Sequence, residues 1–176
     1  MPRRHREDAR LDTEGWSRWV RAIVPEKNGR VVGRYRQHFE CRSDDQQGLL
    51  CANIKKAHPD EMSECGIYEW QARRPCRGTR AGHRNVVYVG STCRAEPGSL
   101  RARILEYCDD GSHKSAIINK ALQRGYELWV RVKTSGRSSD HSREAAGNME
   151  NKLLERYDYA WNFRNNGKRR IRQILR

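Results

Sequence analysis

The chain has 176 residues, enough for one domain with a hydrophobic core, and its net charge is +14, from 36 Lys and Arg against 22 Asp and Glu. With 36% hydrophobic and 33% charged residues, it is polar but not a wholly disordered chain. No apolar run approaches the ~18 residues of a membrane span, and the basic N-terminus lacks the apolar stretch of a secretory signal, so we expect an intracellular protein. The charge favours a polyanionic partner, nucleic acid first and an anionic membrane second.

The first third of the chain is basic and polar. Residues 1–14 are charged without periodicity and predict a flexible arm. A short amphipathic helix is predicted next, from four apolar residues at helical spacing: Trp16, Trp19, Val20 and Ile23. Its tryptophans fit either core anchors or base-stacking groups, and we favour the core. Residues 26–62 are polar and irregular, with one candidate strand near Val31.

From residue 65 onward, strand and helix signals alternate. Alternating β-branched and aromatic residues predict three strands: Gly66–Ala72, Asn85–Val89 and Tyr126–Val132. Apolar residues at helical spacing predict three helices: one from a Ser99 cap through Tyr107, one from a Ser112 cap to a stop at Gly125, and one over Arg143–Tyr159. An arginine-rich hairpin loop over residues 73–84 joins the first two strands, and residues 134–142 predict another loop.

The order β–β–α–α–β–α predicts an α+β fold, in which a small three-stranded antiparallel sheet is flanked by helices. The sheet is expected to be antiparallel because a hairpin joins its first two strands. We predict a basic N-terminal arm and extension over residues 1–62, a folded domain over residues 63–165 and a basic tail over residues 166–176.

The six cysteines include no C-x-x-C pair. In a reducing compartment they are expected to be free thiols, packed as small, partly buried side chains. A zinc site is the alternative, but its candidate ligands have spacings that match no compact zinc finger: Cys41, Cys51, His58 and Cys65. We therefore predict no zinc.

A set of polar side chains supplies what hydrolysis of a phosphodiester needs, namely an activated water and positive charge at the developing phosphorane. Arg103 offers a planar fork of donors for a phosphate, and Glu150 offers a carboxylate for a hard cation such as Mg²⁺. Tyr68 and Tyr88 are candidates to orient or deprotonate the water, and His113 to move a proton. Each also fits a structural role, and two other glutamates rival Glu150: Glu144 and Glu155.

Five segments in order resemble the motifs of the GIY-YIG nuclease superfamily. Gly66-Ile67-Tyr68 and Tyr88-Val89-Gly90 are similar to its defining pair, and Leu100-x-x-Arg103-x-x-x-Tyr107 is similar to its arginine helix. Ser112–Ala121 resembles the family's next helix. Met149–Asn162 resembles the segment that holds the family's metal-binding glutamate and terminal asparagine. The likeness spans residues 65 to 162.

The resemblance implies the family's fold and one-metal cleavage of DNA, with Mg²⁺ or Mn²⁺ as the ion. It implies that Tyr68 is the general base or orients the water, that Tyr88 is the second site tyrosine, and that Arg103 binds the scissile phosphate. Its other implied site residues are a proton-transfer group, a metal ligand and a supporting amide: His113, Glu150 and Asn162.

Three features depart from the family pattern. Val89 replaces an isoleucine, which is a small change of volume. The 19 residues between Tyr68 and Tyr88 exceed the family's usual spacing, because of the arginine-rich insert. Tyr107 stands where many members have histidine, so the proton-relay partner differs here.

Basic residues around the motifs predict phosphate contacts to DNA, double-stranded first, that do not read sequence: Arg73, Arg74, Arg77, Arg80, Arg101, Lys114, Lys168, Arg169 and Arg170. The terminal basic clusters also fit nuclear import signals, and we expect the nucleus as the location. RNA stays open as a substrate, because phosphate chemistry is shared and no base-reading motif is visible.

A narrower resemblance connects the chain to the plant Effector of Transcription proteins. It rests on Cys65–Glu69, Val87–Gly90 and Arg156–Asn162, with Trp16–Val20 upstream. It implies a nuclear role in transcription regulation. The alternative to an endonuclease is therefore a DNA-binding regulator with a weakly active or inactive nuclease fold.

Overall fold

The structure is a computed structural model that describes residues 4–5, 15–17, 19–25, 65–74, 84–94, 99–108, 113–136 and 139–162. The strands within these residues are β1 (Arg4–His5), β2 (Val20–Ile23), β3 (Cys65–Arg73), β4 (Arg84–Thr92), β5 (Glu127–Gly136) and β6 (Tyr157–Asp158). The helices are α1 (Ser99–Cys108), α2 (Ser115–Gln123) and α3 (Asp140–Arg156). The fold is α+β, as predicted.

The main sheet has the strand order β2-β5-β3-β4, and all its neighbouring strands are antiparallel. β3 is therefore central, and it pairs with β5 from Cys65 to Arg73 and with β4 from Gly66 to Arg73. The consecutive strands β3 and β4 pair with each other in antiparallel fashion, as expected. The sheet has four strands rather than the predicted three, because β2 adds to the outer side of β5.

The predicted amphipathic helix near Trp16 is instead this extra strand. Val20 lies opposite Val130 of β5, and Ser17 extends the pairing through its backbone N–H, which donates to Val132 O at 2.8 Å. A helix of this length is marginal in water. The edge of β5 offers backbone hydrogen bonds, and the β-branched Val20 and Ile23 fit a pleated surface. Pairing therefore overrides the helical spacing.

Several predicted boundaries shift for local reasons. β5 continues to Gly136 and so takes up the start of the predicted 134–142 loop. α3 begins at Asp140, because the Ser139 hydroxyl caps it by accepting from Ser142 N–H at 3.1 Å. α2 has its N-cap at Lys114 rather than at Ser112, and it ends before Gly125, whose φ of 76° suits glycine.

The end of α3 also differs from its prediction. The helix stops at Arg156, and Tyr157–Asp158 forms the short strand β6 instead. β6 pairs in parallel with Arg4–His5, so part of the predicted flexible arm is a strand. The prediction had no signal for this, since two residues are too few for a periodicity.

The two faces of the sheet carry different cores. On one face, Tyr68 and Trp70 pack with Leu100 and Ile104 of α1 and with Leu122 of α2. The opposite face carries Ile67, which clusters with two inward-facing leucines of α3 and with two partly buried tryptophans: Leu153, Leu154, Trp16 and Trp19. The tryptophans are thus core anchors, as favoured.

A disulfide joins Cys65 to Cys93. Gly66 lies opposite Thr92 in the β3–β4 register, so the flanking cysteines come together, with 4.3 Å between their Cα atoms. The expectation of free thiols is wrong for this pair. Cys65 is also unavailable as a ligand of the alternative zinc site, whose other three candidates lie outside the described residues.

Other predictions also fall outside the described part of the chain. They are the strand near Val31 and the contacts from Arg77, Arg80, Lys168, Arg169 and Arg170. None of the helices that the structure describes has the length and apolar character needed to cross a membrane.

Gly66 is required by close packing at the sheet's centre. A Cβ at this position would lie 2.4 Å from Lys133 O and 2.9 Å from Thr134 Cα, both backbone atoms of β5. Backbone atoms paired in a sheet cannot move aside without breaking the register. Gly147, inside α3, has no atom within 4 Å of its Cβ position among the described residues.

We expect Gly66→Ala to lower the free energy of unfolding by about 1–3 kcal/mol, because the added methyl overpacks the β3–β5 pair. Gly147→Ala is the matched control, and it should raise stability by about 0.5–1 kcal/mol through a better helix propensity. Urea unfolding followed by circular dichroism measures both. A Gly66→Ala protein as stable as the wild type would contradict the close approach of β3 and β5.

Candidate active site

Tyr68 lies opposite Gly90 across the β3–β4 pair, and the tyrosine fills the space that a side chain at Gly90 would need. A Cβ at Gly90 would lie 2.5 Å from the Tyr68 hydroxyl oxygen and 3.1 Å from a ring carbon of Tyr88. The glycine of the second motif thus makes room for the tyrosine of the first. This contact explains why the two tripeptides occur together.

The hydroxyl groups of three tyrosines form a hydrogen-bonded chain. The Tyr68 and Tyr107 oxygens are 2.9 Å apart, and Tyr107 donates to Tyr88 at 3.1 Å. Arg103 Nε donates to the Tyr68 oxygen at 3.2 Å. Because Tyr107 has one proton and gives it to Tyr88, Tyr68 must donate to Tyr107. The hydrogen-bonded chain therefore runs from Arg103 through Tyr68 and Tyr107 to Tyr88, and the hydroxyl proton of Tyr88 is its last donor.

Burial keeps these phenols neutral. It raises the pKa of Tyr107 and of Tyr68 well above the ordinary value. Both neighbouring phenols add to the rise in the pKa of Tyr107, whereas only Tyr88 adds to that of Tyr68. Burial also raises the pKa of Tyr88, and the charge of Glu150 acts in the same direction. The sequence-based role of Tyr68 as a general base needs a lowered pKa, so burial opposes that role. Its other predicted role, orientation by hydrogen bonding, fits a neutral phenol.

Arg103 is held between the tyrosine chain and a carboxylate. Its Nη1 donates to Glu106 Oε2 at 2.7 Å, and its guanidinium lies 5.2 Å from the centre of the Tyr107 ring. Glu106 Oε1 accepts from Arg94 Nη1. The two arginines hold the pKa of Glu106 below its ordinary value, with Arg94 the larger cause. Glu106 is therefore charged at neutral pH.

His113 and Lys114 lie beside the chain in different settings. The His113 ring meets the Tyr107 ring edge to face, with 5.5 Å between their centres, and the residue is exposed. Partial desolvation by its neighbours, and then the charge of Arg103, lower the pKa of His113, so its imidazole is mainly neutral at pH 7. Lys114 is buried, and its Nζ donates to Trp161 O at 2.7 Å. It packs within the site rather than on the predicted DNA-facing surface.

Glu150 lies at the other end of the tyrosine chain, near Tyr88. It is half-buried on α3, and its Oε2 accepts from the Ser91 hydroxyl at 2.5 Å. The described residues contain no cluster of three or more His, Cys, Asp or Glu side chains around it. A single carboxylate with a neutral partner fits a hard cation that keeps most of its waters, as Mg²⁺ does.

Asn162 fixes the strand that carries Tyr88 through hydrogen bonds to its backbone. Its side chain accepts from Val89 N–H at 3.0 Å and donates to Val89 O at 2.8 Å. Trp161 N–H donates to Val87 O at 2.8 Å. These bonds satisfy backbone groups on the outer edge of β4, beyond which no further strand lies among the described residues. Asn162 therefore acts on β4 through its backbone, and its predicted part in the reaction stays a prediction.

The described basic residues of the insert lie away from this site. Arg73 is on the sheet face opposite Tyr68, where its guanidinium stacks 3.8 Å from the centre of the Trp129 ring. Arg74 is exposed next to it. Arg101 is on α1, but its side chain lies outside the description. The Arg74 guanidinium lies 5.9 Å from the centre of the Tyr126 ring, which is not one of the three tyrosines of the hydrogen-bonded chain.

Three polar residues of the site were missed from the sequence: Ser91, Arg94 and Glu106. Ser91 follows Gly90 directly, and Glu106 is one helical turn after Arg103 on the same face of α1. That spacing is a usable signal for an ion pair. No pattern, however, distinguishes Arg94 from the other arginines.

The chain matches the family model of GIY-YIG domain-containing proteins over residues 46–175, which is more than half of its length. Neither a curated protein nor a solved structure gives a significant match. The comparisons therefore support the superfamily resemblance, but the narrower one to the plant Effector of Transcription proteins is not supported.

Tyr107 gives a test of the buried chain through pH. Since its folded pKa is raised above the unfolded value of about 10, the unfolded chain loses a phenol proton above that pH while the folded protein keeps it. Stability then falls as pH rises. Tyr107→Phe should remove up to about 1.4 kcal/mol per pH unit from that fall. Urea unfolding between pH 9 and 11 measures the slopes, and parallel curves for the two proteins would contradict a buried, neutral Tyr107.

Proposed function

The chain belongs to the GIY-YIG domain family, and on that premise we propose that it is an endonuclease that hydrolyses phosphodiester bonds of DNA with one divalent metal ion. The observation that carries the proposal is the hydrogen-bonded chain from Arg103 through Tyr68 and Tyr107 to Tyr88, with Glu150 near its far end. A family match alone indicates a nuclease fold, whereas this arrangement of side chains supports a specific reaction.

Arg103 is proposed to bind the scissile phosphate. Its Nε is used by the Tyr68 hydroxyl, which fixes the plane of the guanidinium, and its side chain stays one quarter exposed. A planar guanidinium held in this way can present its remaining N–H groups to phosphate oxygens without first being ordered. Its permanent charge would offset the negative charge that develops at phosphorus.

Tyr88 is proposed to position the attacking water. Its oxygen accepts from Tyr107, so its own proton is directed out of the chain, toward the acceptor that a water oxygen would offer. A neutral, fixed phenol can orient water by a hydrogen bond even though its raised pKa disfavours a phenolate. Tyr68 would act indirectly, because its hydroxyl group holds Arg103 and Tyr107 in place.

Glu150 is proposed to hold the metal ion, Mg²⁺ or Mn²⁺. The bound ion would supply positive charge for the phosphorane and for the leaving oxygen. The Ser91 hydroxyl, bonded to one carboxylate oxygen, would keep the carboxylate in one orientation and leave its other oxygen for coordination. His113, neutral and exposed next to Tyr107, is suited to take up a proton released during hydrolysis.

Nucleic acid is the substrate class that fits the family and the net charge of +14. The basic clusters in the sequence lead us to propose that the substrate is double-stranded DNA and that the protein acts in the nucleus. A DNA-binding regulator that lacks turnover is the second candidate, and RNA is the competing substrate.

The first test is cleavage of supercoiled plasmid with Mg²⁺, with Mn²⁺ or with chelator. We expect the wild type to convert plasmid to nicked or linear forms only with a divalent ion. Glu150→Gln should reduce the rate at least ~100-fold, because the amide cannot replace the charged ligand. It should bind DNA like the wild type. Glu155→Gln, an exposed glutamate on α3, removes the same charge and should cut normally.

Each failure of this test has one meaning. Full cleavage by Glu150→Gln would refute the metal assignment. DNA binding without cleavage under any divalent ion would favour the regulator over the enzyme. A matched single-stranded RNA that is cut faster than DNA of the same sequence would overturn the proposed substrate.

A further inference from the structure

Two arginines converge on one carboxylate at the Arg103 end of the tyrosine chain. Each carboxylate oxygen of Glu106 pairs with a different guanidinium group. Oε1 pairs with Arg94, and Oε2 pairs with Arg103 at 2.7 Å. Arg94 follows β4, whereas Arg103 and Glu106 lie on α1, so the carboxylate also connects two elements. Two guanidinium groups around one anion is also the arrangement that would bind a phosphate.

The charges of this group favour exchange with another anion. Within this group, Glu106 carries one negative charge and the arginines carry two positive charges, and the three side chains are 25–40% exposed, so a ligand can reach them. An ion pair with this exposure contributes little to stability, about 0.2–1 kcal/mol. A phosphodiester offers two oxygens with shared charge and suits bidentate contact with arginine. The carboxylate can therefore be displaced at small cost.

We infer that Arg94 and Arg103 together form the phosphate-binding clamp of the site, and that Glu106 is an internal counter-ion which occupies the clamp until a nucleic-acid phosphate replaces it. The inference rests on the proposed function, since it assigns the ligand of the same site. Arg94 is the added phosphate contact. Glu106 acts through the two arginines and is a positioning residue that lowers the clamp's affinity for anions.

The binding test uses a labelled 20-base-pair DNA duplex in chelator, so that no cleavage occurs, over a series of NaCl concentrations. Glu106→Gln should tighten binding about 3- to 10-fold, because the amide no longer competes with phosphate. Glu144→Gln, an exposed glutamate on α3, removes the same charge and is the matched control. Its effect sets the contribution of net charge alone.

Arg94→Gln tests the second half of the clamp. We expect weaker binding, by about 5-fold, and a slope of log K against log salt that is shallower by about 0.9, the loss of one phosphate contact on duplex DNA. Arg94→Lys keeps the charge and should recover most of the slope, whereas it should recover less of the affinity, since lysine lacks the fork.

Cleavage kinetics separate this inference from the proposed function. With Mg²⁺ present, Glu106→Gln should lower KM by more than it changes kcat, whereas a merely structural Glu106 would lower the melting temperature and affect both constants. Tight binding by Glu106→Gln in a protein that never cuts DNA refutes the nuclease and leaves the clamp standing. Glu106→Gln binding no tighter than Glu144→Gln, or an unchanged salt slope for Arg94→Gln, overturns the clamp.

Discussion

The pairing of Tyr68 with Gly90 across β3 and β4 is the contact on which the candidate site depends. Any side chain at residue 90 would occupy the space of the Tyr68 hydroxyl, only 2.5 Å from the Cβ position. With glycine there, the Tyr68 phenol has room beside β4, and its hydroxyl lies 2.9 Å from that of Tyr107. Arg103 is then ordered by Tyr68, so the arrangement of cation and phenols follows from one glycine in one register.

A second set of contacts keeps that register in place from the opposite face of the sheet. Glu69, fully buried next to Tyr68 in sequence, pairs with Arg131 of β5 at 2.7 Å and accepts from the Tyr159 hydroxyl. Asn162, three residues after Tyr159, hydrogen-bonds through its side chain to both the N–H and the carbonyl oxygen of Val89 on β4. The segment after α3 thus holds both motif strands. A buried carboxylate is tolerable here because it has a charged and a neutral donor.

Local signals predicted the strands β3 and β4, the helices α1 and α2 and the tyrosine–arginine set, because each depends on periodicity or on a short motif. The fourth strand was missed because Trp16 to Ile23 has helical spacing, and only the free edge of β5 makes it a strand. The disulfide of Cys65 depends on strand register, which no cysteine spacing encodes. The burial of Lys114 had no signal in the sequence, since burial is a property of the fold.

The site has a carboxylate at each end of the tyrosine chain, and their surroundings differ in charge. Glu106 lies between two guanidinium groups, which already neutralise it and would repel a cation. Glu150 accepts from the uncharged Ser91 hydroxyl, so its negative charge is not offset by that partner. Coulomb attraction over a few ångströms at a partly buried position is worth several kcal/mol. The proposed function accordingly assigns the divalent cation to the Glu150 end and the anionic phosphate to the Arg103 end. The neutral phenols of Tyr68, Tyr107 and Tyr88 lie between these two ends of the site.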